Sequence, residues 1–144
     1  MEIEIVNGGV FEDERGKLFH VNDFDFSEVK RFYIIEHPVI QIVRAWQGHQ
    51  FEKKWFYVVS GSFCVAWVKV DNWEQPNPKA KAEYVILNAN ESRIVAVPCG
   101  YANGLKALEP NSRIVVYSDM TLEQSLKEKI RYPKDYWLDW SSIN

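Results

Sequence analysis

The amino-acid sequence predicts an all-β fold, a sandwich or a barrel. Short segments rich in β-branched and aromatic residues recur along the chain, and turns with Gly, Pro, Asn and Asp separate them. No segment alternates strands with long amphipathic helices, so a parallel α/β sheet is excluded. A length of 144 residues suits one domain over residues 1–144, long enough to bury a core.

Ten segments have the composition expected of strands. In chain order they are residues 2–6, 17–21, 31–36, 40–46, 55–60, 63–70, 83–87, 93–97, 105–108 and 113–118. Turn signals such as Asn7-Gly8-Gly9, Gly61 and Pro98 end several of them. Residues 73–82 contain two prolines and predict an exposed loop.

The C-terminal region has a different pattern. Thr121-Leu122-Glu123-Gln124 has the spacing of a capping box, which predicts a short helix through about Lys129. The aromatic tail, residues 132–140, is expected to pack onto the barrel.

Composition excludes several classes of function. A net charge of −3 provides no broad basic surface for nucleic acid or anionic lipid. The N-terminus lacks the pattern of a signal peptide, and no apolar run reaches membrane-span length. Cys64 and Cys99 lie in apolar, strand-like sequence, so we expect two buried thiols in a reducing compartment. These features predict a soluble cytoplasmic protein.

Three polar residues lie unusually close to an apolar strand. Gln47 and His49 point the same way if the strand continues through Gly48, and Lys54 begins the next strand on the face of Phe56. Such a cluster is typical of the mouth of a small barrel, but a solvated hairpin edge has the same pattern. The pattern alone leaves both interpretations open.

Residues 44–61 resemble the first motif of the cupin superfamily, with Gln47 and His49 at its histidine positions and Lys54 at its glutamate position. Residues 98–103 resemble the second motif, with Asn103 at its histidine position. Metal-binding cupins use three histidines and one glutamate. One of the four is present here, and a lysine ammonium repels a divalent ion, so we predict neither a metal nor another cofactor.

A narrower resemblance is to the dTDP-4-dehydrorhamnose 3,5-epimerases and the dTDP-4-keto-6-deoxyhexose 3,4-ketoisomerases. It rests on residues 11–19, residues 30–35 with Arg44, residues 98–104 and residues 131–133. The resemblance implies a cupin-type jelly-roll barrel with a short C-terminal helix, and a dTDP-linked keto-sugar substrate in deoxysugar (cell-surface polysaccharide) biosynthesis. It also implies a homodimer in which the N-terminal strands, here residues 2–6, pair across subunits.

The resemblance assigns roles to individual residues. His49 would remove a proton next to the sugar ketone, and Lys54 would stabilise the resulting enolate. Arg15 and Arg44 would bind the diphosphate through their guanidinium groups. The other substrate-binding expectations are Gln47, Asn103, Tyr33, Tyr101 and Tyr117, and the aromatic side chains expected as pocket walls are Tyr33, Trp46, Phe56 and Tyr101.

Departures from the pattern narrow the expected reaction. Gln47 and Asn103 replace histidines of the epimerases, and the position of their catalytic tyrosine falls at or near Leu122. Because 3,5-epimerisation needs an acid and a base on opposite ring faces, we favour a 3,4-ketoisomerase, in which one base can serve. The alternative is a cupin that has lost catalysis and binds a sugar nucleotide or a partner enzyme. Four residues remain candidates for the acid–base partner of His49: Tyr57, Tyr101, Tyr117 and Asp119.

Overall fold

A computed structural model describes residues 2–144, and nearly all of its regular structure is β-strand. The strands are β1 (Glu4–Asn7), β2 (Gly9–Asp13), β3 (Gly16–His20), β4 (Arg31–His37), β5 (Val43–His49), β6 (Lys54–Ser60), β7 (Ser62–Lys69), β8 (Glu83–Asn88), β9 (Arg93–Val97), β10 (Tyr101–Ala107), β11 (Ser112–Ser118) and β12 (Ile130–Arg131). One α-helix, α1 (Leu122–Leu126), follows β11, and a 3-10 helix spans Trp140–Ser142.

Two five-stranded antiparallel sheets form the jelly roll. One has the order β1-β9-β6-β11-β4, and the other has the order β12-β5-β10-β7-β8. β2 and β3 form a separate hairpin. The predicted all-β fold with a short C-terminal helix is confirmed.

The core lies between the two sheets. Alternate residues of facing strands fill it, including Phe56 and Val58 of β6, Phe63 and Val65 of β7, and Val116 of β11. Each such side chain stabilises the fold by about 1.5–3 kcal/mol through burial of apolar surface. The same alternation places Lys54, the first residue of β6, on the inner face two positions before Phe56.

The C-terminal tail covers the outer face of the second sheet, as predicted. Trp140 and Ile143 pack against Cys64, Ala66 and Val68, which point outward from β7. Backbone hydrogen bonds of 3.1 Å join Tyr132 and Trp46 in both directions. The tail therefore fixes β12 against β5, the strand that carries Gln47 and His49.

Several predicted boundaries were wrong. β5 begins at Val43 instead of residue 40 and continues through Gly48 to His49, where a Cβ on Gly48 would lie 2.8 Å from Ile130. β10 begins at Tyr101, directly after the Gly100 turn, instead of residue 105. β2 was not predicted, because residues 9–13 lie between two turn signals. β12 was not predicted, because a strand of two residues is too short to show an alternating pattern.

Two further expectations need correction, the burial of Cys99 and the end of the helix. Cys99 is exposed in the turn before β10, although both thiols of this chain are free and Cys64 is buried. β1 pairs with β9 of its own chain, with Ile5 opposite Val95, and is an edge strand of its sheet, so the pairing of its other edge across subunits stays a prediction. The helix ends at Leu126, not near Lys129, because the backbone N–H of Lys127 donates to the carbonyl oxygens of Gln124 and Ser125 and so caps the last turn. No helix within residues 2–144 has the length and apolar character needed to span a membrane.

Candidate active site

A pocket of about 260 Å³ opens at one end of the barrel. Its walls come from β4, β5 and β6 and from the segment 122–131 that crosses the barrel mouth. A narrow extension of about 30 Å³ continues inward and is lined by Phe56, Asn103 and Leu105. Lys54 and Gln47 line both parts, so the two cavities are adjacent.

Five of the predicted site residues meet in this pocket. They are Tyr33, Arg44, Gln47, His49 and Lys54. A sixth, Asn103, lies opposite Gln47 in the register of β10 and β5 and lines the inner extension. Asn103 is buried, and its Nδ2 has no hydrogen-bond partner in residues 2–144, so this amide is free to donate to a ligand.

Glu52, which the sequence did not single out, lies at the centre of the site. It is 2% exposed in the turn between β5 and β6. Its Oε2 accepts hydrogen bonds from the hydroxyls of Ser118 and Ser125, and Nη2 of Arg31 lies 3.9 Å away. Burial raises the pKa of Glu52, but the contacts with His49, Lys54 and Ser118 outweigh it and bring the pKa to about 2. Glu52 is therefore ionised at neutral pH.

His49 occupies the position of a general base. Its Nδ1 lies 3.4 Å from Oε1 of Glu52, and neither ring nitrogen has a hydrogen-bond partner within residues 2–144. Burial lowers the pKa of His49, the Glu52 carboxylate raises it, and the charges of Lys54 and Arg131 lower it again, with a net decrease. A neutral imidazole with its proton on Nδ1, facing Glu52, leaves a lone pair on Nε2 to take a proton.

Lys54 is buried beside this pair. It is 5% exposed, and its Nζ lies 5.7 Å from the centre of the Tyr33 ring. Its charge lowers the pKa of both His49 and Glu52. A buried cation held in a fixed position can stabilise an oxyanion more strongly than one in water.

Basic side chains surround the outer part of the pocket. Arg44 was expected there, but Arg31, Lys129 and Arg131 line it as well. Arg131 enters from β12, where it lies opposite Gln47. An anionic ligand therefore meets positive charge from both the barrel wall and the C-terminal segment.

Three other predicted site residues lie away from the pocket. Arg15 is exposed at the tip of the β2–β3 hairpin and pairs with Asp13 at 2.6 Å. Tyr117 points to the outer face of β11, where it contacts Phe24 and Phe32. Tyr101 lies opposite His49 in the β10–β5 register, but its side chain belongs to the apolar core.

The remaining expectations are placed as follows. Trp46 lies under the C-terminal tail and not in the pocket, whereas Phe56 lines its inner extension. The hydroxyl of Tyr57 contacts Ser92 on the outside of the barrel. Asp119 accepts a hydrogen bond from the backbone N–H of Lys53. Neither Tyr57 nor Tyr117 reaches the pocket, and the ionisable partner that does contact His49 is Glu52.

A parity argument could have indicated Glu52. It precedes Lys54 by two residues, so an extended chain points both side chains to the same face. By the same rule Ser118, not Tyr117, shares a face with Val116 of the core. The basic residues of segment 127–131 gave no comparable signal, because only the tail's packing places them at the pocket.

One donor of each of His49, Glu52 and Glu128 lies within 4.8 Å of the others, a spacing compatible with a metal ion. The carboxylates are already engaged, since Glu52 accepts from two serines and Glu128 accepts from the backbone N–H of Phe51. Lys54, Arg31 and Arg131 line the same space, and their charges oppose a divalent cation. A metal-free site stays the prediction.

Solved structures with the same architecture include several enzymes of dTDP-sugars. A dTDP sugar isomerase from Desulfovibrio desulfuricans G20 matches with a TM-score of 0.76 and 21% identity, over 99% of this chain and 92% of that one. The WlaRB TDP-quinovose 3,4-ketoisomerase from Campylobacter jejuni matches with a TM-score of 0.67 and 18% identity, over 93% and 95%. The rmlC epimerase from Mycobacterium tuberculosis matches with a TM-score of 0.70 and 20% identity, over 85% and 66%.

This chain shares their fold. The expected cupin-type jelly roll is thereby confirmed, whereas identities of 15–21% leave the reaction open. Neither a protein-family profile nor a curated protein sequence matches the chain.

Proposed function

We propose that this protein is an isomerase of a dTDP-linked 4-keto-6-deoxyhexose, and that its reaction is a 3,4-ketoisomerisation. His49 removes the proton next to the ketone, and Lys54 stabilises the enolate that forms. One solved structure with this fold is a 3,4-ketoisomerase in complex with TDP-4-keto-6-deoxyglucose, which supports the class of substrate.

The observation that carries the proposal is the state of His49. His37 is also buried without hydrogen bonds to its ring nitrogens, but only His49 lines the pocket, where its Nε2 has no partner within residues 2–144 and a carboxylate faces its Nδ1. Its lowered pKa keeps it unprotonated at pH 7, as a base that attacks an acidic C–H requires. Glu52 and Lys54 lie beside it, one to orient the ring and the other to receive negative charge.

The basic pocket wall supports the nucleotide part of the proposal. A dTDP-sugar carries a diphosphate, and Arg44, Lys129 and Arg131 lie where the pocket opens. A solved 3,4-ketoisomerase with this fold is in complex with TDP, which supports a nucleotide diphosphate as part of the ligand. Gln47 and Asn103 present amides to the inner space, where hydrogen bonds to sugar hydroxyls are expected.

The pocket favours isomerisation over 3,5-epimerisation. The catalytic tyrosine of the epimerases has no counterpart here, because its position falls at or near Leu122 and the tyrosines of β6 and β11 point away from the pocket. A ketoisomerase passes through an enediol, so His49 returns the proton to the neighbouring carbon on the face from which it was taken.

We also propose that the chain forms a homodimer. β4 is an edge strand whose outward side chains Phe32 and Ile34 are 64% and 47% exposed, and the β2–β3 hairpin exposes Phe11 and Leu18. Association would cover these apolar groups and the free edge. Arg15 contributes to a nucleotide site only if a second copy brings it there. A monomer at micromolar concentration in sedimentation contradicts the dimer.

The experiment that tests the function uses a panel of dTDP-4-keto-6-deoxy sugars in deuterated water. We expect one sugar to incorporate deuterium and to yield a 3-keto product by NMR. If dTDP-sugars bind but exchange no deuterium, the enzyme proposal fails and the sugar-nucleotide-binding alternative replaces it.

A further inference from the structure

Glu128 is a second carboxylate at the pocket, on the wall opposite to the barrel strands. It lies between α1 and β12, and its oxygens accept the backbone N–H of Phe51 at 3.0 and 3.3 Å. This contact ties the segment that crosses the barrel mouth to the turn that follows His49. One of its oxygens lies within 4.8 Å of donor atoms of both His49 and Glu52.

The two carboxylates differ in what they can do. Glu52 is 1% exposed in its side chain, its Oε2 accepts from Ser118 and Ser125, and its Oε1 faces His49, so neither oxygen is directed at the open part of the pocket. Glu128 is half-buried and lines the open part of the pocket. No lysine or arginine within residues 2–144 forms an ion pair of 4.0 Å or less with it. Its two oxygens share the single N–H of Phe51 and keep further lone pairs, so its carboxylate is the one of the two that can accept a proton from a sugar hydroxyl.

A 3,4-ketoisomerisation needs two proton transfers, and His49 accounts for one. The hydrogen on C3 must reach C4, and the hydrogen on the O3 hydroxyl must reach O4. The Lys54 ammonium has no lone pair with which to accept the hydroxyl proton, and Gln47 and Asn103 do not titrate. A carboxylate both accepts and returns a proton.

We propose that Glu128 is a catalytic residue that carries the hydroxyl proton from O3 to O4. The C3–H bond breaks, its proton moves to Nε2 of His49, and the electron pair forms the C3–C4 double bond with negative charge on O4 beside Lys54. Glu128 accepts the proton of the O3 hydroxyl and delivers it to O4. The His49 imidazolium then protonates C4 as the C3 ketone forms, so no oxidant or other reactant is needed. This role rests on the proposed ketoisomerase function.

The decisive variant is Glu128→Gln, which keeps the side-chain size and an oxygen to accept the N–H of Phe51. With the substrate that wild type isomerises, we expect the variant to retain deuterium exchange at C3 within a few-fold. Its formation of the 3-keto sugar should fall at least about 100-fold, in the range typical for loss of a general acid–base. The control is Glu123→Gln on the exposed side of α1, for which both rates should equal those of wild type.

A second variant, Glu128→Ala, gives a test that does not depend on the hydrogen bonds of the substituted glutamine. Glu128→Ala should also exchange without isomerising, and added formate should restore product formation by supplying a mobile carboxylate. Isomerisation by Glu128→Gln or by formate-free Glu128→Ala at the wild-type rate would overturn the proposal. Loss of exchange together with isomerisation, with dTDP binding intact, would also overturn it, by placing Glu128 in the C–H step. A wild-type protein that exchanges no deuterium with any sugar overturns the proposed function and this role with it.

Discussion

Nδ1 of His49 lies 3.4 Å from Oε1 of Glu52, and the two residues come from one turn of the chain, three positions apart. The serines of β11 and α1 hold the other oxygen of Glu52, so the carboxylate is fixed with one edge towards the imidazole. This arrangement favours the tautomer that leaves Nε2 free. Because the pKa of Glu52 and the pKa of His49 are both lowered, Glu52 is an anion and His49 is a neutral base at pH 7, and the two act as one unit.

The pH dependence of wild-type activity follows from this unit. Burial and the charge of Lys54 lower the pKa of His49 below its usual 6.5, so most of the base is unprotonated at pH 6.5. We expect kcat/KM to rise with pH, to pass half of its maximum below pH 6.5, and to be constant by pH 7. A midpoint above pH 6.5 in the free enzyme would be inconsistent with His49 as the base.

Lys54→Met tests whether the Lys54 ammonium stabilises the oxyanion, with the neighbouring Lys53 as the control. Loss of the ammonium should lower the rate of deuterium exchange about 10²- to 10³-fold, as for other preorganised oxyanion donors. Because Lys54 also lowers the pKa of His49, any residual activity should have its midpoint at higher pH than wild type.

Lys53→Met is the matched control, since Lys53 points outward and lies 4.8 Å from the centre of the Trp55 ring. It should leave both the exchange rate and the pH midpoint unchanged. Equal effects of the two substitutions would remove the special role of Lys54.

Glu52→Gln should change how stability depends on pH. The pKa of Glu52 falls from 4.5 to about 2 on folding, so its stabilising effect is complete above pH 4.5 and is lost as the pH decreases towards 2. Wild type should therefore lose more stability across that interval than the glutamine variant, measured by urea unfolding at each pH. At pH 7 the variant should be less stable by about 1–3 kcal/mol, because the two serine hydroxyls that donate to Oε2 lose the charge-assisted part of their hydrogen bonds. Parallel losses in the two proteins would show that Glu52 is not the titrating group.

Only part of this site was open to prediction from sequence. Alternation along β5 and β6 brought Gln47, His49 and Lys54 together, because strand parity is a local property. Parity states that Tyr117 and Ser118 face opposite ways, and the burial of Val116 in the core decides that Ser118 is the one that faces inward. Arg131 and Glu128 reach the pocket because the two-residue strand β12 pairs with β5 and the tail holds it there. This is a tertiary contact, and no periodic pattern in the sequence indicates it.

Arg44 and Arg15 should differ in their effect on nucleotide binding. Arg44 lines the pocket, so Arg44→Ala should weaken dTDP binding about 10- to 100-fold through loss of charge-assisted hydrogen bonds to phosphate. Arg15 lies on the hairpin and pairs with Asp13, so Arg15→Ala should have a comparable effect only in a dimeric protein. Calorimetric titration of both variants with dTDP, alongside sedimentation, gives the comparison. Unchanged affinity of Arg44→Ala would contradict the assigned phosphate site.

In the proposed reaction His49 takes a proton from the carbon next to the sugar ketone. The direct measurement is solvent-deuterium incorporation into the substrate sugar by wild type and by His49→Asn, each shown to bind dTDP. We predict incorporation by wild type and a decrease of about 10²- to 10⁴-fold in the variant, with dTDP affinity within a few-fold. Incorporation by His49→Asn at the wild-type rate would show that His49 is not the base.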